Sequence, residues 1–391
     1  MGDTMRPILV IAFFTVPFVF SQSDMDLRIH GFVSQGYVQS NSYDYLVERS
    51  QEGSFEFTEL ALNFFARPAP KLSVGIQIFA RDLGHEGNNE PVIDWAVADY
   101  RWRDSLGFRL GKVKAPLGFY NKGRDADILR PSVFLPQGVY AEDFRDITLA
   151  YQGAGIYGLL GKGALEYELY VGTTNLDENL RVFRDLFAQF GLPFQDPSFH
   201  IDILYGTALR WSPPLEGLSL GTSMVRANAH LEDRGSPIAL HMDGIEILSF
   251  SLEYLFERWI ASAEYSSIEL PVENATPGLE LPPFPDFKPE AWYVQLAWQA
   301  RDKLQLSYQY DVSYSSKTDR DGERFILAGL PGYLAWQKDN VLAVRYDLSS
   351  HITLKAEGRL ISGAARAIID YTDSSLDKNW SFYAAKASFN F

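Results

Sequence analysis

In the segment LQLSYQYDVSYSS, Leu304, Leu306, Tyr308, Tyr310, Val312 and Tyr314 alternate with Gln305, Ser307, Gln309, Asp311 and Ser313. A strand turns successive side chains to opposite faces, so one face of this segment is apolar and the other polar. The same period recurs along the chain. KLSVGIQIFAR sets Leu72, Val74, Ile76 and Ile78 against Ser73, Gly75, Gln77 and Arg81. LSFSLEYLF sets Leu248, Phe250, Leu252 and Tyr254 against Ser249, Ser251 and Glu253. HITLKAEGRLIS sets Ile352, Leu354, Ala356 and Leu360 against Lys355, Glu357 and Arg359. SFYAAKASFNF sets Tyr383, Ala385, Ala387, Phe389 and Phe391 against Lys386, Ser388 and Asn390. These segments run about ten to thirteen residues, where an ordinary strand has roughly five or six. A tilted strand needs about 9–11 residues to cross a bilayer.

The connections between segments alternate strictly in length. The short ones fall at 67–71, 102–105, 159–163, 212–217, 257–259, 301–303 and 349–351. The long ones fall at 41–54, 84–91, 116–145, 175–200, 230–243, 271–290, 317–338 and 364–378. A soluble sandwich has no reason to sort its loops this way, whereas a barrel with one end in the periplasm and one outside does. The pattern predicts an all-β fold: an antiparallel transmembrane β-barrel of about sixteen strands, with long extracellular loops and short periplasmic turns. Trp102, Trp211, Trp259 and Trp298 stand beside short turns, and Tyr43, Tyr45 and Tyr314 beside long loops. They are expected to form the two aromatic girdles of such a barrel.

Near the start, ILVIAFFTVPFVF follows Arg6 and precedes SQS. The expectation is a secretory signal over 1–23, which leaves 24–391 for the barrel. The apolar run is shorter than the roughly 20 residues of a spanning helix, which disfavours the alternative of an uncleaved anchor. In the loops, ENLRVFRDLFAQFGLP carries Phe183, Leu186, Phe187 and Phe190 at helical spacing and predicts a short helix over the mouth. The segment PVENATPGLELPPFPDFKPE is Pro-rich and predicts an extended loop.

The formal net charge is -15 and there is no cysteine. That excludes a disulfide framework or thiolate metal site and argues against nucleic acid as a partner. His30, His85, His200, His230, His241 and His351 are scattered without metal-ligand spacing in sequence. Ser349, Ser350 and His351 lie in a short turn and read as turn residues rather than part of a hydrolytic triad. No phosphate-cradling glycine loop occurs, and no cofactor is expected.

Charge is densest between 94 and 146, where Arg101, Arg103, Arg109, Lys112, Lys114, Lys122, Arg124, Arg130 and Arg145 stand among nearly as many acids. The 116–145 connection is the longest and is expected to fold inward and narrow the lumen. Arg101, Arg109, Lys112, Lys114, Arg124 and Arg130 are the candidates for a cationic constriction, since rings of Lys and Arg favour anions. The competing reading is a rigid loop whose charges cancel in salt bridges. On other strands, Arg81, Arg210, Arg226, Arg345, Lys355 and Arg359 face the lumen in this reading, with Glu59, Asp99, Glu166, Glu168, Glu253, Glu264 and Glu357. A water-filled interior tolerates such groups and a lipid face does not.

IHGFVSQGYVQS, then DWAVADYRWRDSLGFRLGKVKAPLGFYN, then RDADILRPSVFLPQGVY, resembles the outer-membrane porins of the phosphate-selective porin O/P-like group and, more narrowly, their relatives. The most specific match is R-x-G-x-x-K-x-P-x-G at Arg109, Gly111, Lys114, Pro116 and Gly118. The resemblance covers roughly 26–160. It implies a sixteen-stranded barrel, usually a homotrimer, that passes small hydrophilic solutes or ions by diffusion. It places Arg109, Lys112 and Lys114 on the strand leading into an inward-folded loop. It also implies that Phe391 is read by the barrel-assembly machinery. Phosphate-selective members carry a lining rich in arginine and lysine; this chain is acidic overall with mixed lumen charges. The expected function is therefore passive, weakly selective diffusion through an outer-membrane pore, with a possible preference for anions. A barrel enzyme of phospholipase or protease type would need a Ser/His/acid cluster at the rim. A closed adhesive barrel would need bulky inward residues where Gly75, Gly172, Ser249 and Ser251 stand.

Overall fold

The computed structural model describes residues 26–84, 87–176, 194–276, 278, 287–369 and 376–391. The expected signal segment and the expected helix over the mouth lie outside the described residues.

The strands are β1 (Arg28–Ser40), β2 (Thr58–Ala69), β3 (Leu72–Asp82), β4 (Val92–Arg103), β5 (Leu106–Lys114) and β6 (Ala150–Leu160). Next come β7 (Leu165–Leu176), β8 (Pro197–Trp211), β9 (Leu218–Asp233), β10 (Ala239–Phe256), β11 (Trp259–Glu269) and β12 (Glu273–Asn274). The last are β13 (Glu290–Arg301), β14 (Leu304–Tyr314), β15 (Trp336–Asp347), β16 (Ile352–Gly363) and β17 (Asn379–Asn390). All but the two-residue β12 are staves of a closed, 16-strand antiparallel barrel. Each stave pairs with the next, and the sheet closes where β1 meets β17 from Phe32↔Asn390 to Ser40↔Phe382. β12 lies in the connection between β11 and β13 and pairs with Leu240 and His241 of β10.

The alternation read from the sequence becomes the two faces of the wall. On β14, Gln305, Ser307, Gln309, Asp311 and Ser313 are buried while Leu306 and Tyr308 are exposed. On β16, Lys355, Glu357 and Arg359 are buried while Leu354 and Leu360 are exposed. Polar inside and apolar outside is the reverse of a soluble fold, and it suits a wall with lipid on its outer side. The two ends differ. β4 and β5 are joined by Asp104 and Ser105 alone, and β13 and β14 by Asp302 and Lys303. At the same end Gly31 and Phe391 exchange two backbone hydrogen bonds of 3.0 Å. A side chain at Gly31 would collide with the Phe391 ring at 2.5 Å.

Two expectations are corrected. The 230–243 stretch is not a long loop: β9 continues to Asp233 and β10 begins at Ala239. Ala229, Leu231, Leu240 and Met242 are buried on the inner face and extend the ladder toward the long-loop end. His230, Glu232 and His241 are the outward half of the same alternation. Tyr43 and Tyr45 are not girdle residues. Both are buried edge-on against Trp380, at 5.4 and 5.2 Å, where the first long connection packs over the barrel end. Burial pushes the Tyr43 phenol up to about 12. Trp102, Trp211 and Trp298 do lie exposed at the short-turn end, where Trp259 stacks on Trp298 at 5.6 Å.

Candidate functional site

Two glycines that no other residue could replace easily, Gly111 within β5 and Gly118 just beyond it, shape the entry to the 115–149 connection. Gly111 has φ +126, and a Cβ there would lie 2.2 Å from the Ala96 carbonyl oxygen. Gly118 has φ +57, and a Cβ there would lie 2.2 Å from the Tyr140 hydroxyl. Only glycine occupies such conformations at little cost. Asn121 ties the ends of the connection together: its amide donates to the carbonyls of Ala115 at 3.0 Å and Thr148 at 2.9 Å. The one-turn helix α1 (Arg145–Thr148) leads back into β6.

Polar groups of this connection bond to the inner faces of β3, β4, β7, β9, β10, β11, β14, β16 and β17. Three anchors dominate. The first is Glu264 of β11. Its carboxylate accepts from the Phe119 amide at 2.8 Å, the Tyr140 hydroxyl at 2.5 Å, the Tyr293 hydroxyl at 2.9 Å and the Ser251 hydroxyl. The second joins Arg145 to Asp94 of β4 and to Asp125, at 2.9 and 2.8 Å, with Lys114 donating to Asp125 at 2.8 Å. The third is Asp127, which meets Arg130 at 3.0 Å, Lys386 at 3.1 Å and the Ser388 hydroxyl. Lys386 also pairs with Glu59 of β2. Nearby, Glu357 accepts from the Val133 amide at 2.8 Å, and Phe134 stacks on Phe57 at 4.8 Å.

These charges are buried together. Burial alone would raise the Asp125 carboxyl, but Arg145 and Lys114 hold it well below the ordinary range. Burial opposes ionisation of Asp127 as well, and Lys386, Lys355 and Arg130 bring it well below that range. Glu142, bonded to Arg124 at 3.0 Å and Arg81 at 3.4 Å, is likewise lowered against the effect of burial. Removing one partner of such a buried pair leaves the other charge uncompensated, at about 3–5 kcal/mol.

Beside the connection, along β5 to β10, lies a cavity of about 190 Å³. Arg109, Lys122, Glu166, Glu168, Arg210 and Phe119 line it. Arg109 pairs with Asp99 and Glu168, each at 2.9 Å, with its guanidinium 4.0 Å from the centre of the Tyr157 ring. Lys122 pairs with Glu168. Arg210 sits 4.5 Å over the Phe119 ring and 3.4 Å from Glu253. Each cation on this lane has a carboxylate beside it.

The six cations singled out in the sequence separate in space. Arg109 lines the cavity. Lys114 is taken up by Asp125, and Lys112 donates to the Ile93 carbonyl at 2.7 Å. Arg124 and Arg130 are buried as struts of the connection, bonded to Glu142 and Asp127, and present no charge to the cavity. Arg101 pairs with Gly107 next to the Asp104–Ser105 turn, so register carries it away from the connection. Arg226, expected inward, is on the outer face beside Glu246 at 2.7 Å. Lys122, Glu166, Glu168 and Arg210 complete the lane. Both glutamates alternate with apolar residues in LEYELY, which marks them as inward facing.

No family model matches this sequence, and no curated protein matches it. Solved structures do resemble it. The outer membrane channel DcaP of Acinetobacter baumannii superposes with TM-score 0.61 at 11% identity, covering 95% of this chain and 99% of that one. OmpF of Salmonella typhi, in complex with daunomycin, gives 0.59 at 12% identity, covering 93% and 97%. An anion-selective porin from Comamonas acidovorans gives 0.58 at 11% identity, covering 94% and 100%. At these identities the likeness is one of fold: the chain is built as the sixteen-stranded barrels of outer-membrane porins are built.

Proposed function

We propose that this protein is a passive outer-membrane channel in which small hydrophilic solutes or ions diffuse past the 115–149 connection along the lane of β5 to β10. The observation that carries this is the charged cavity between that connection and the polar inner wall of a closed barrel. Diffusion needs a wet path with groups that bind weakly and release. Arg109, Lys122 and Arg210 outnumber Glu166 and Glu168 in the lining, which tilts the lane toward anions. Asp99 and Glu253 behind two of those cations offset the tilt. The expected selectivity is therefore weak, and the arrangement lacks the dense cationic lining of a phosphate-selective pore. The porin-like fold also supports a homotrimer as the working state.

Purified protein in planar bilayers should give discrete conductance steps, and a salt gradient should give a reversal potential near zero. A membrane that stays silent at high protein would remove the reading. A second reading, a barrel closed at rest, is favoured by the span of the connection, which bonds from β3 across to β14 and β17. Under that reading steps appear only after one of its anchors is cut.

A further inference from the structure

Three of the histidines that are scattered in sequence meet in one row. His200 of β8 is directly opposite His230 of β9, and His230 is directly opposite His241 of β10. Asn175 of β7 continues the row beside His200, and Glu273 of β12 beside His241. The residues on the other face of these strands, Phe199, Ile201, Leu231, Leu240 and Met242, are buried in the interior. The row is therefore on the outer face, at the long-loop end, above the exposed Ile203 and Tyr205.

We propose that His200 and His230 form a binding site for a borderline divalent transition-metal ion such as Zn²⁺ or Cu²⁺. Their ring centres are 5.0 Å apart. Two imidazoles on one tetrahedral ion, with Zn–N bonds of about 2.0–2.1 Å, place their ring centres about 5 Å apart. Nδ1 of His230 is 2.9 Å from the Asp202 carboxylate, which can only accept, so a neutral ring that donates there keeps its lone pair on Nε2. Nδ1 of His200 is 3.3 Å from the Asn175 side-chain oxygen, and its Nε2 is 2.7 Å from the Ser198 hydroxyl. A ligating histidine that gives its other N–H to a carboxylate or carbonyl is the usual outer-shell arrangement. The ion takes the place of the Ser198 hydroxyl on Nε2 of His200. His241 is farther from His230, at 6.5 Å and 63°. Among the described residues no group of three or more ligands is set to hold a metal ion, so the site is a two-histidine one with water in its remaining positions. Bound there, the ion ties β8 to β9 in the part of the sheet that rises above the bilayer.

The test is calorimetric titration of the tag-free, refolded full-length protein with Zn²⁺, repeated with Cu²⁺. One ion per chain is expected, with binding lost in His230→Ala and in His200→Ala. Asp202→Asn should weaken binding about 10-fold or more through the orientation it gives His230. His351→Ala, at the other end of the barrel, should bind as the parent does. His230→Gln keeps a polar side chain in the strand and guards against a variant that fails to fold. Absence of saturable binding in the parent, or unchanged binding in His230→Gln with the barrel intact, would overturn the proposal.

Discussion

Tyr140 donates its phenolic proton to Glu264 over 2.5 Å, linking the far part of the 115–149 connection to β11. The other oxygen of the same carboxylate holds the Phe119 amide at 2.8 Å, so one side chain fixes the connection at two places. Glu264→Gln replaces an acceptor by a donor facing other donors. A buried group left unsatisfied costs about 1–3 kcal/mol. The variant should lose stability of that order in a denaturant titration and show a larger, noisier conductance. Unchanged conductance would mean that this anchor does not set the passage.

Asp127 lies where the connection, β16 and β17 converge. Asp127→Asn leaves Lys386, Lys355 and Arg130 without their shared counter-charge. The expected loss is about 3–5 kcal/mol, read from the denaturant midpoint of the folded barrel. Lys386 keeps Glu59, so a loss well under 1 kcal/mol would show that pair to be sufficient by itself.

Asp125, Asp127 and Glu142 are all held below their ordinary values in the folded state. Depressed carboxylates contribute stability that is whole above the unfolded value of about 4 and is lost as pH falls through the lower folded values. These three carboxylates should therefore stay ionised from neutral pH down to about 4. The stability lost in Asp125→Asn, measured from the denaturant midpoint along a pH series, should be level over that range and shrink only in stronger acid. A loss that already shrinks between pH 5 and 7 would contradict this origin.

Lys122 is the lane cation contributed by the connection itself rather than by the wall. Lys122→Glu changes the lane by two charges and sets a carboxylate against Glu168. The reversal potential in a salt gradient should move toward cations, with the barrel still folded. Selectivity that does not move would place the passage elsewhere.

Phe391 packs against Phe389 at 6.1 Å on the outer face and bonds to Gly31 through its backbone alone. Phe391→Ala keeps those backbone bonds. Refolding in detergent should be nearly normal, while the amount assembled in cells should fall if the ring is read during insertion. Equal assembly of variant and parent would make the residue an ordinary strand end.

How far could the sequence be read? The wall was legible because strand alternation is a local property: Gln309 and Tyr308 declare their faces from their neighbours alone. The same rule holds at Leu231 and Leu240, and only the short turn over 234–238 interrupts it there. Tyr43 and Tyr45 were misassigned because an aromatic beside a loop fits either a lipid interface or a contact with a distant ring, here Trp380. The site was least legible. Arg124 and Arg130 look like Arg109 in sequence, yet burial and pairing decide which charge meets solute. The partners of Asp127 come from β16, β17 and its own loop, and no local pattern brings Lys355 and Lys386 to one carboxylate.

The pairing of β1 with β17 also fixes an order of events. Every other pair of staves joins neighbours in sequence and can form by local search, but Phe32 must find Asn390 across almost the whole chain. Contacts so distant form slowly, because the entropy of closing the intervening chain is lost before any bond rewards it. Until they form, the partly built sheet has two bare edges able to pair with another chain. The seam is therefore expected to be the slow, aggregation-prone step of assembly, and substitutions along it that leave the native packing open, at the exposed Val33 for example, should register in the yield and speed of assembly before they register in the finished barrel.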